Sequence, residues 1–239
     1  MASADEVLQR LQALARTDQL DGMARYGMST GRRLGVSVPE MRKLAREIGK
    51  DHALALALWQ GGITDAQILA GMIADPAALT EEQMEAWVAD FDSWDVCDQV
   101  CMNLFEKSPL ARTKIQEWAL RDEEFVKRAA YALIACLAWH DKSAPDDVFV
   151  DYLPVIAHGA TDERNFVKKA VNWALRNIGK RNLPLNLAAI DAAREMQQMD
   201  SKAARWIATD ALRELESDAV QRRLREAYSK PQMDTGTHR

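Results

Sequence analysis

The sequence predicts an all-α protein, and three observations support that fold class. Alanine and leucine dominate the 239 residues, and runs in which Val, Ile or Thr alternate with polar residues, as strands require, are absent. Helix-start signals recur along the chain. A helical segment also repeats itself in the second half. These features favour roughly a dozen helices joined by short loops.

Residues that cap helices precede most of the apolar runs. Thr80 to Gln83 forms a capping-box pattern, in which the first and fourth residues bond to each other's backbone amides. The predicted helices run from Thr64 to about Ile73, from Met84 to Val88 after the capping box, from Trp94 to Phe105, over 110–120, from Phe125 to Trp139, over 164–179 and over 202–215. We expect a single repeat domain over residues 1–229, followed by a disordered tail over 230–239.

The internal repeat defines the architecture more closely. Residues 125–133 (FVKRAAYAL) resemble residues 166–175 (FVKKAVNWAL), which begin 41 residues later and carry one extra residue. Residues 201–212 (SKAARWIATDAL) form a third copy, in which Trp206 lies 33 residues after Trp173. A helical unit with this period is typical of an α-solenoid, and HEAT-like repeats fit it best. We expect a curved α-solenoid of HEAT-like helical repeats, whose concave face suits a duplex or another protein.

Composition excludes several classes of protein. The chain has no apolar run of about 18 residues and no long apolar segment at its N-terminus, so neither a transmembrane helix nor a secretory signal is expected. Its three cysteines do not form a CxxC motif, which argues against a disulfide framework or a zinc finger and favours a cytoplasmic location. Cys97 and Cys101 lie four residues apart on an apolar helix face and are expected to pack in the core.

Charge is unevenly distributed along the chain. The net charge of −5 does not by itself suggest a nucleic-acid-binding protein. Residues 61–109 carry ten acidic residues and one lysine, whereas the segment from Arg164 to Ile190 carries six basic residues and no acidic one. A local basic strip on an acidic protein can still bind phosphate groups.

The helix around 165–180 contains the first candidate site. At about 100° per residue, its core stripe comprises Val167, Val171, Ala174 and Ile178. Trp173 lies well away from this stripe and shares the outer face with three cations, Lys169, Arg176 and Lys180. Two interpretations are open: Trp173 packs against the adjacent repeat, or it forms an aromatic platform beside phosphate-binding cations.

The second candidate site lies in the segment Asp92–Asp98. Trp94 and Asp98 are four residues apart and therefore neighbours on one helix face. An acid beside an aromatic wall can be desolvated, and such a carboxylate could stabilise a developing positive charge or position a water molecule. The alternative is a first-turn acid that complements the helix dipole, which fits Asp95 better than Asp98.

Arg128 is the third feature, because it lies in the mostly apolar helix Phe125–Trp139. Arg128 either pairs with an acid of a neighbouring repeat or binds a phosphate, whose oxygens suit the guanidinium fork.

The sequence does not support other common enzyme chemistries. The motifs GxGxxG, HExxH and GxSxG and the Walker loop are absent, and no two histidines have the spacing of metal ligands on a helix.

Four stretches together resemble the HEAT-like-repeat DNA alkylation-repair glycosylases, the AlkD family. The similarity runs from about residue 20 to about residue 215. The stretches are Met23–Tyr26 with Leu34–Pro39, Ser93–Asp98, Val126–Ala130, and Phe166–Ala170 with Trp173–Arg176. Each is weak singly, but their similar intervals make the set specific.

The resemblance implies that the chain excises cationic N-alkylated purines, such as 3-methyladenine and 7-methylguanine, from duplex DNA. It implies a catalytic aspartate at Asp98, which would stabilise an oxocarbenium-like sugar and position water. Two tryptophans that flank the lesion would be Trp94 and Trp173, and a backbone-clamping arginine would be Arg128. Tyr26 matches an aromatic residue near the DNA.

Further expectations concern partners. Lys169, Arg176 and Lys180 would join Arg128 in binding the DNA backbone. The reaction needs no cofactor and no metal, and we expect a monomer with no membrane partner. Two alternatives to the glycosylase stay open, namely a non-catalytic HEAT-like scaffold that binds DNA or protein, and a scaffold with no nucleic-acid role.

Overall fold

The structure, a computed structural model, describes residues 2–229 and is built from α-helices and two short 3₁₀ turns, with no β-strand in that range. The α-helices are α1 (Ala4–Ala13), α2 (Leu20–Arg25), α3 (Val38–Ile48), α4 (His52–Gln60), α5 (Thr64–Ile73), α6 (Glu81–Ala89), α7 (Trp94–Asn103), α8 (Ala111–Ala119), α9 (Glu124–His140), α10 (Asp146–Val150), α11 (Tyr152–Gly159), α12 (Asn165–Gly179), α13 (Leu183–Gln197), α14 (Lys202–Leu215) and α15 (Asp218–Ser229). This confirms the all-α fold class. None of the helices between residues 2 and 229 is long and apolar enough to cross a membrane.

Local signals place most helix starts correctly. Thr80 and Gln83 form the predicted capping box at the start of α6, and the Ser201 side chain accepts a hydrogen bond from a backbone amide at the start of α14. The helix predicted to run to Phe105 ends earlier, at Asn103, and a 3₁₀ turn over Phe105–Lys107 follows. Because Ser108 precedes a proline, its backbone is extended and the chain must leave the helix before that point.

The chain divides between Leu133 and Ile134 into two compact units. The first unit contains α1 to α8 and the beginning of α9, and the second contains the remainder of α9 and α10 to α15. The single domain over residues 1–229 stays a prediction. The tail predicted over 230–239 lies outside the described residues.

The three sequence copies all lie on helices, namely α9, α12 and α14. In the second unit, α12, α13 and α14 pack on one another. The predicted core stripe of α12 is completely buried, as expected for a repeat helix: Val167, Val171, Ala174 and Ile178. The packed helices are therefore the HEAT-like repeats that the sequence predicts.

Close packing at the end of α12 depends on a glycine. A Cβ atom at Gly179 would lie 2.7 Å from both terminal methyl carbons of Leu215 on α14 and 3.0 Å from the Cβ of Ala189 on α13. The buried amide of Asn186 donates to the Gly179 carbonyl at 2.8 Å, and its oxygen accepts from Gln221 of α15 at 2.9 Å. These contacts tie α15 to the repeat helices of the second unit.

Aromatic side chains form much of the core of the first unit. Trp59 and Trp87 stack with their ring centroids 4.0 Å apart. Tilted contacts then connect Trp59 to Phe91, Phe91 to Phe105, and Phe105 to Trp118, at centroid distances of 5.8–6.1 Å. Aromatic pairs of this geometry add about 0.5–1.5 kcal/mol each to the burial of their surface.

Asp65 anchors the loop that precedes α3. Its side chain is almost completely buried, and its two oxygens accept hydrogen bonds from the backbone amides of Leu34 at 2.6 Å and Val36 at 2.7 Å. Gly35, between those residues, has a φ of +80°, and a Cβ atom there would lie 2.5 Å from the carbonyl oxygen of Arg16. The loop conformation therefore depends on one carboxylate and one glycine.

We expect Asp65→Ala to lower the free energy of unfolding by about 2 kcal/mol or more, because two backbone amides then lose their acceptors. Urea unfolding followed by circular dichroism measures the change. Asp21→Ala, which removes an exposed acid on α2, is the matched control and should change stability by less than about 0.5 kcal/mol. Equal losses in both variants would contradict the anchoring role of Asp65.

Candidate functional site

Asp98 and Arg128 form a bidentate ion pair between α7 and α9. Arg128 Nε donates to one carboxylate oxygen of Asp98 at 3.0 Å, and Nη2 donates to the other at 2.8 Å. The Asp98 side chain is 14% exposed and that of Arg128 is 6% exposed. The guanidinium is therefore shielded from water, while the carboxylate keeps an open edge. This geometry matches the interpretation in which Arg128 pairs with an acid of a neighbouring repeat.

Two buried thiols help to align α7 with α9. The thiol of Cys97 donates a weak hydrogen bond to the Phe125 carbonyl at 3.7 Å, and that of Cys101 donates to the Ala129 carbonyl at 3.8 Å. Both cysteines are completely buried, which confirms their predicted place in the core. Because Asp98 follows Cys97 directly, this packing also determines where its carboxylate lies against α9.

Burial raises the pKa of the Asp98 carboxyl above its ordinary value. The charge and hydrogen bonds of Arg128 lower the pKa and oppose that effect, and the nearby Asp95 adds to the increase. An ionised Asp98 is therefore a carboxylate that water stabilises poorly. Such a group gains free energy when a positive charge develops beside it.

Trp94 forms one wall beside this ion pair. It lies half-buried at the start of α7, and its indole N–H donates to the backbone carbonyl of Tyr26 at 3.0 Å. The guanidinium carbon of Arg128 lies 5.9 Å from the centre of the Trp94 ring, within cation–π range. Tyr26 itself is 77% exposed. The first unit thus brings together Trp94, Asp98 and Arg128, and the backbone of Tyr26 lies beside Trp94.

A second buried ion pair supports the start of α7. Arg33 donates two hydrogen bonds to the carboxylate of Asp95, at 2.7 and 3.0 Å, and a third to the Ser29 carbonyl at 2.7 Å. The Ser93 side chain, which is completely buried, accepts from the Ser29 amide and donates to Asp95. No local sequence signal identifies Arg33, because its partner lies 62 residues away.

The second unit contains Trp173, which is half-buried on α12. Two of the three cations predicted beside it have carboxylate partners on α14. Arg176 lies 2.7 Å from Glu214 and 3.5 Å from Asp210, and Lys180 lies 2.8 Å from Glu214. These acids were not among the predicted site residues, since they are more than 30 residues away in sequence.

Lys169 differs from Arg176 and Lys180, the other two cations predicted beside Trp173. Its side chain is exposed, and no described residue forms a hydrogen bond or an ion pair with its ammonium group. Trp173 and Lys180 line a common cavity, to which Lys169 and Arg176 do not contribute. The outer face of α12 therefore contains one available cation, two neutralised cations and an aromatic ring at a cavity wall.

The chain is similar in structure to several solved proteins. One belongs to a family described as related to the HEAT-like repeat DNA glycosylases, with affinity for branched DNA structures; it is 21% identical, with a TM-score of 0.72, over 89% of this chain and 95% of that one. A designed armadillo repeat protein is 17% identical, with a TM-score of 0.37, over 92% of this chain and 87% of that one. No curated protein matches the sequence.

The family comparison is more extensive. A model of the family described as "DNA alkylation repair enzyme" matches residues 7–215, and this range contains every residue that the sequence singled out for the site. The match covers most of the chain, and the fold agrees with that of the glycosylase-related structure. The chain therefore belongs to the DNA alkylation repair enzyme family.

Proposed function

We propose that this protein is a DNA glycosylase that excises cationic N-alkylated purines, such as 3-methyladenine and 7-methylguanine, from duplex DNA. Membership of the family supports a role in DNA repair. The observation that carries the finer proposal is the part-exposed Asp98 carboxylate, held by Arg128, whose guanidinium carbon lies 5.9 Å from the centre of the Trp94 ring. In this proposal the reaction requires no metal and no cofactor, and the protein acts as a monomer.

The chemistry follows from the charge of the lesion. N-alkylation makes the purine cationic, so it leaves as a neutral base when the glycosidic bond breaks and the positive charge passes to the deoxyribose. Water then adds its oxygen to C1′ and loses a proton, which leaves an abasic site with a hydroxyl group. Asp98 would stabilise the oxocarbenium-like sugar and orient the water that attacks it.

The aromatic and basic residues would hold the DNA. Trp94 and Trp173 would contact the sugar of the lesion and favour its cationic character through their π faces. Lys169 is best placed to bind a backbone phosphate, because it has no carboxylate partner among the described residues. Arg176 and Lys180 would have to exchange Glu214 for phosphate oxygens. Tyr26, with its exposed ring, would add a DNA contact, whereas Arg128 is buried against Asp98 and would have to rearrange to reach a phosphate.

A non-catalytic DNA-binding scaffold is the second candidate. The structurally similar protein is described as having affinity for branched DNA structures, and a shared scaffold does not guarantee a shared activity. Both oxygens of Asp98 already accept hydrogen bonds from Arg128, which is also compatible with a purely structural ion pair. Base release distinguishes the two candidates.

We expect Asp98→Asn to abolish the release of 7-methylguanine from methylated duplex DNA while it leaves DNA affinity within about twofold. The amide keeps the shape of the side chain but removes the charge that would stabilise the sugar cation. Single-turnover base release and fluorescence anisotropy measure the two quantities.

Asp92→Asn is the matched control, since it removes an exposed charge from the same segment and its side-chain oxygen can still accept from Ser29. Excision by the control should match the wild type. Near wild-type excision by Asp98→Asn would exclude Asp98 from catalysis, and no excision by the wild type would favour the scaffold.

Excision should depend on pH through Asp98. The reaction requires the ionised carboxylate, and burial raises the pKa of that group, so the rate should fall with decreasing pH around a midpoint above the ordinary aspartate value of about 3.9. Single-turnover rates over a pH series, with folding checked by circular dichroism at each pH, measure the midpoint. A rate that stays constant through this range would contradict a requirement for ionised Asp98.

Arg128→Gln tests Arg128 as a residue that positions Asp98. Loss of the guanidinium removes the interaction that lowers the pKa of Asp98, so the midpoint of the pH profile should move to higher pH. If Arg128 also contacts a backbone phosphate, the slope of log affinity against log salt should decrease by about one. A slower reaction with an unchanged midpoint would indicate that Arg128 has only a structural role.

A further inference from the structure

A cavity of about 410 Å³ lies within the second unit, among the end of α9, the end of α12 and α15. This volume falls within the range of about 300–1,000 Å³ that is usual for small-molecule sites. Its lining combines two indole rings with four cations and includes no carboxylate: Ala138, Trp139, Lys142, Trp173, Asn177, Lys180, Arg181 and Arg223. The chemistry of the lining therefore favours an anionic ligand that also has a flat ring.

The positive charge of this cavity is only partly neutralised. Lys180 has Glu214 as its partner, but no described residue forms a hydrogen bond or an ion pair with the Lys142 ammonium group. Burial lowers the pKa of Lys142, and the positive charges of Arg181 and Arg223 lower it further. An anion that enters the cavity would relieve this repulsion among neighbouring cations.

Two of the cations are held in place by neutral groups. Arg181 donates to the carbonyls of Ala138 at 3.1 Å and Ala144 at 2.9 Å, and its guanidinium carbon lies 4.2 Å from the ring centre of Phe149. Arg223 donates to the Lys180 carbonyl at 2.9 Å. Because carbonyls and an aromatic ring orient these guanidinium groups without neutralising them, their charge remains available to a ligand.

The acids nearest to Arg181 have other partners. Asp141 accepts hydrogen bonds from the Ser143 and Ala144 amides, and Asp146 accepts two from the Asn182 side chain. Neither acid lines the cavity. They moderate the positive potential beside Arg181 but occupy none of the space open to a ligand.

The two indole rings suit a nucleobase. Trp139 is 55% exposed, which is unusual for so large an apolar side chain, and one of its faces stacks on His140 at a centroid distance of 4.7 Å. Trp173, on α12, is half-buried at the same cavity. Stacking of a base on an aromatic side chain contributes without regard to base identity, since every base has a π face.

We propose that this cavity binds a nucleoside monophosphate unit, with the phosphate among Lys142, Arg181 and Arg223 and the base on an indole ring. The unit can come from a free nucleotide or from an unpaired nucleotide of a DNA strand. Arg223 lies beyond residues 7–215, so the site includes a residue outside the part of the chain that matches the family. The cavity shares Trp173 and Lys180 with the DNA contacts proposed above, but it does not include Asp98 or Arg128, which belong to the other unit.

Competition binding with the full-length chain tests the proposal. The probe is a fluorescein-labelled short single-stranded oligonucleotide followed by anisotropy, and the competitors are 2′-deoxyadenosine 5′-monophosphate, 2′-deoxyadenosine and inorganic phosphate. Direct binding of the monophosphate is measured by calorimetry. We expect the monophosphate to bind and to compete far better than the nucleoside or phosphate alone, because only it supplies both the charge and the ring.

Three variants locate the site. Lys142→Ala combined with Arg223→Ala, and separately Trp139→Ala, should weaken binding of the monophosphate by about tenfold or more. Arg222→Ala removes an exposed neighbouring arginine that does not line the cavity, and it should bind as the wild type does. Thermal unfolding establishes that each variant is folded.

The outcomes separate the sources of the ligand. Binding of both the monophosphate and the oligonucleotide identifies an unpaired strand, whereas binding of the monophosphate alone identifies a free nucleotide. Failure of the monophosphate to bind, or an equal loss with Arg222→Ala, would overturn the proposal. Asp98→Asn should bind the monophosphate as the wild type does, so a failure of the excision proposal leaves this result unaffected.

Discussion

The bidentate ion pair between Asp98 and Arg128 is the interaction on which the candidate site depends. Its two members lie on different helices and are largely removed from water, so each requires the other. Breaking such a pair from one side costs about 3–5 kcal/mol, because a charge then remains buried without a partner. The burial that makes the pair costly to break also strengthens the interaction of its carboxylate with a nearby positive charge. Catalysis on a cationic sugar requires that property.

Internal ion pairs also explain how an acidic segment can occur in a DNA repair protein. Residues 61–109 have a large excess of acidic side chains, yet several of them neutralise buried or half-buried cations. Lys114, almost completely buried, lies within 2.8 Å of Glu81 and Glu85, which belong to this segment, and of Glu117, which follows it. Burial lowers the pKa of Lys114, but the hydrogen bonds that its ammonium group donates to these three carboxylates outweigh burial and raise the pKa above its usual value. Much of the acidic charge thus stabilises the fold.

The second and third sequence copies each carry a tryptophan, but the two rings have different surroundings. The third copy places Trp206 on α14, where it is 41% exposed and lies 5.0 Å from the ammonium group of Lys168 on α12. The second copy places Trp173 at a cavity whose other walls include α15. Equivalent positions in successive repeats therefore hold aromatic side chains whose surroundings differ, because each repeat contacts different neighbours.

The fold was predictable because helices are specified by nearby residues. Capping side chains, apolar spacing and the recurrence of one segment all act over a few turns, so they placed α5, α6 and α14 and predicted the repeat class. The positions of Trp94 and Asp98 on one face of α7 follow from the same local geometry. The helix pattern around Arg128 left open whether this residue pairs with an acid or binds phosphate, since local geometry does not identify its partner.

Tertiary packing alone decided which charges meet. Asp98 faces Arg128, Asp95 faces Arg33, and Glu214 faces both Arg176 and Lys180, although each pair is separated by some 30 residues or more. Those pairings depend on how one helix lies against another, and hydrophobic spacing along a single helix does not encode that relation. Tertiary packing likewise determines the nucleotide-sized cavity, because its walls come from three helices that are distant in sequence.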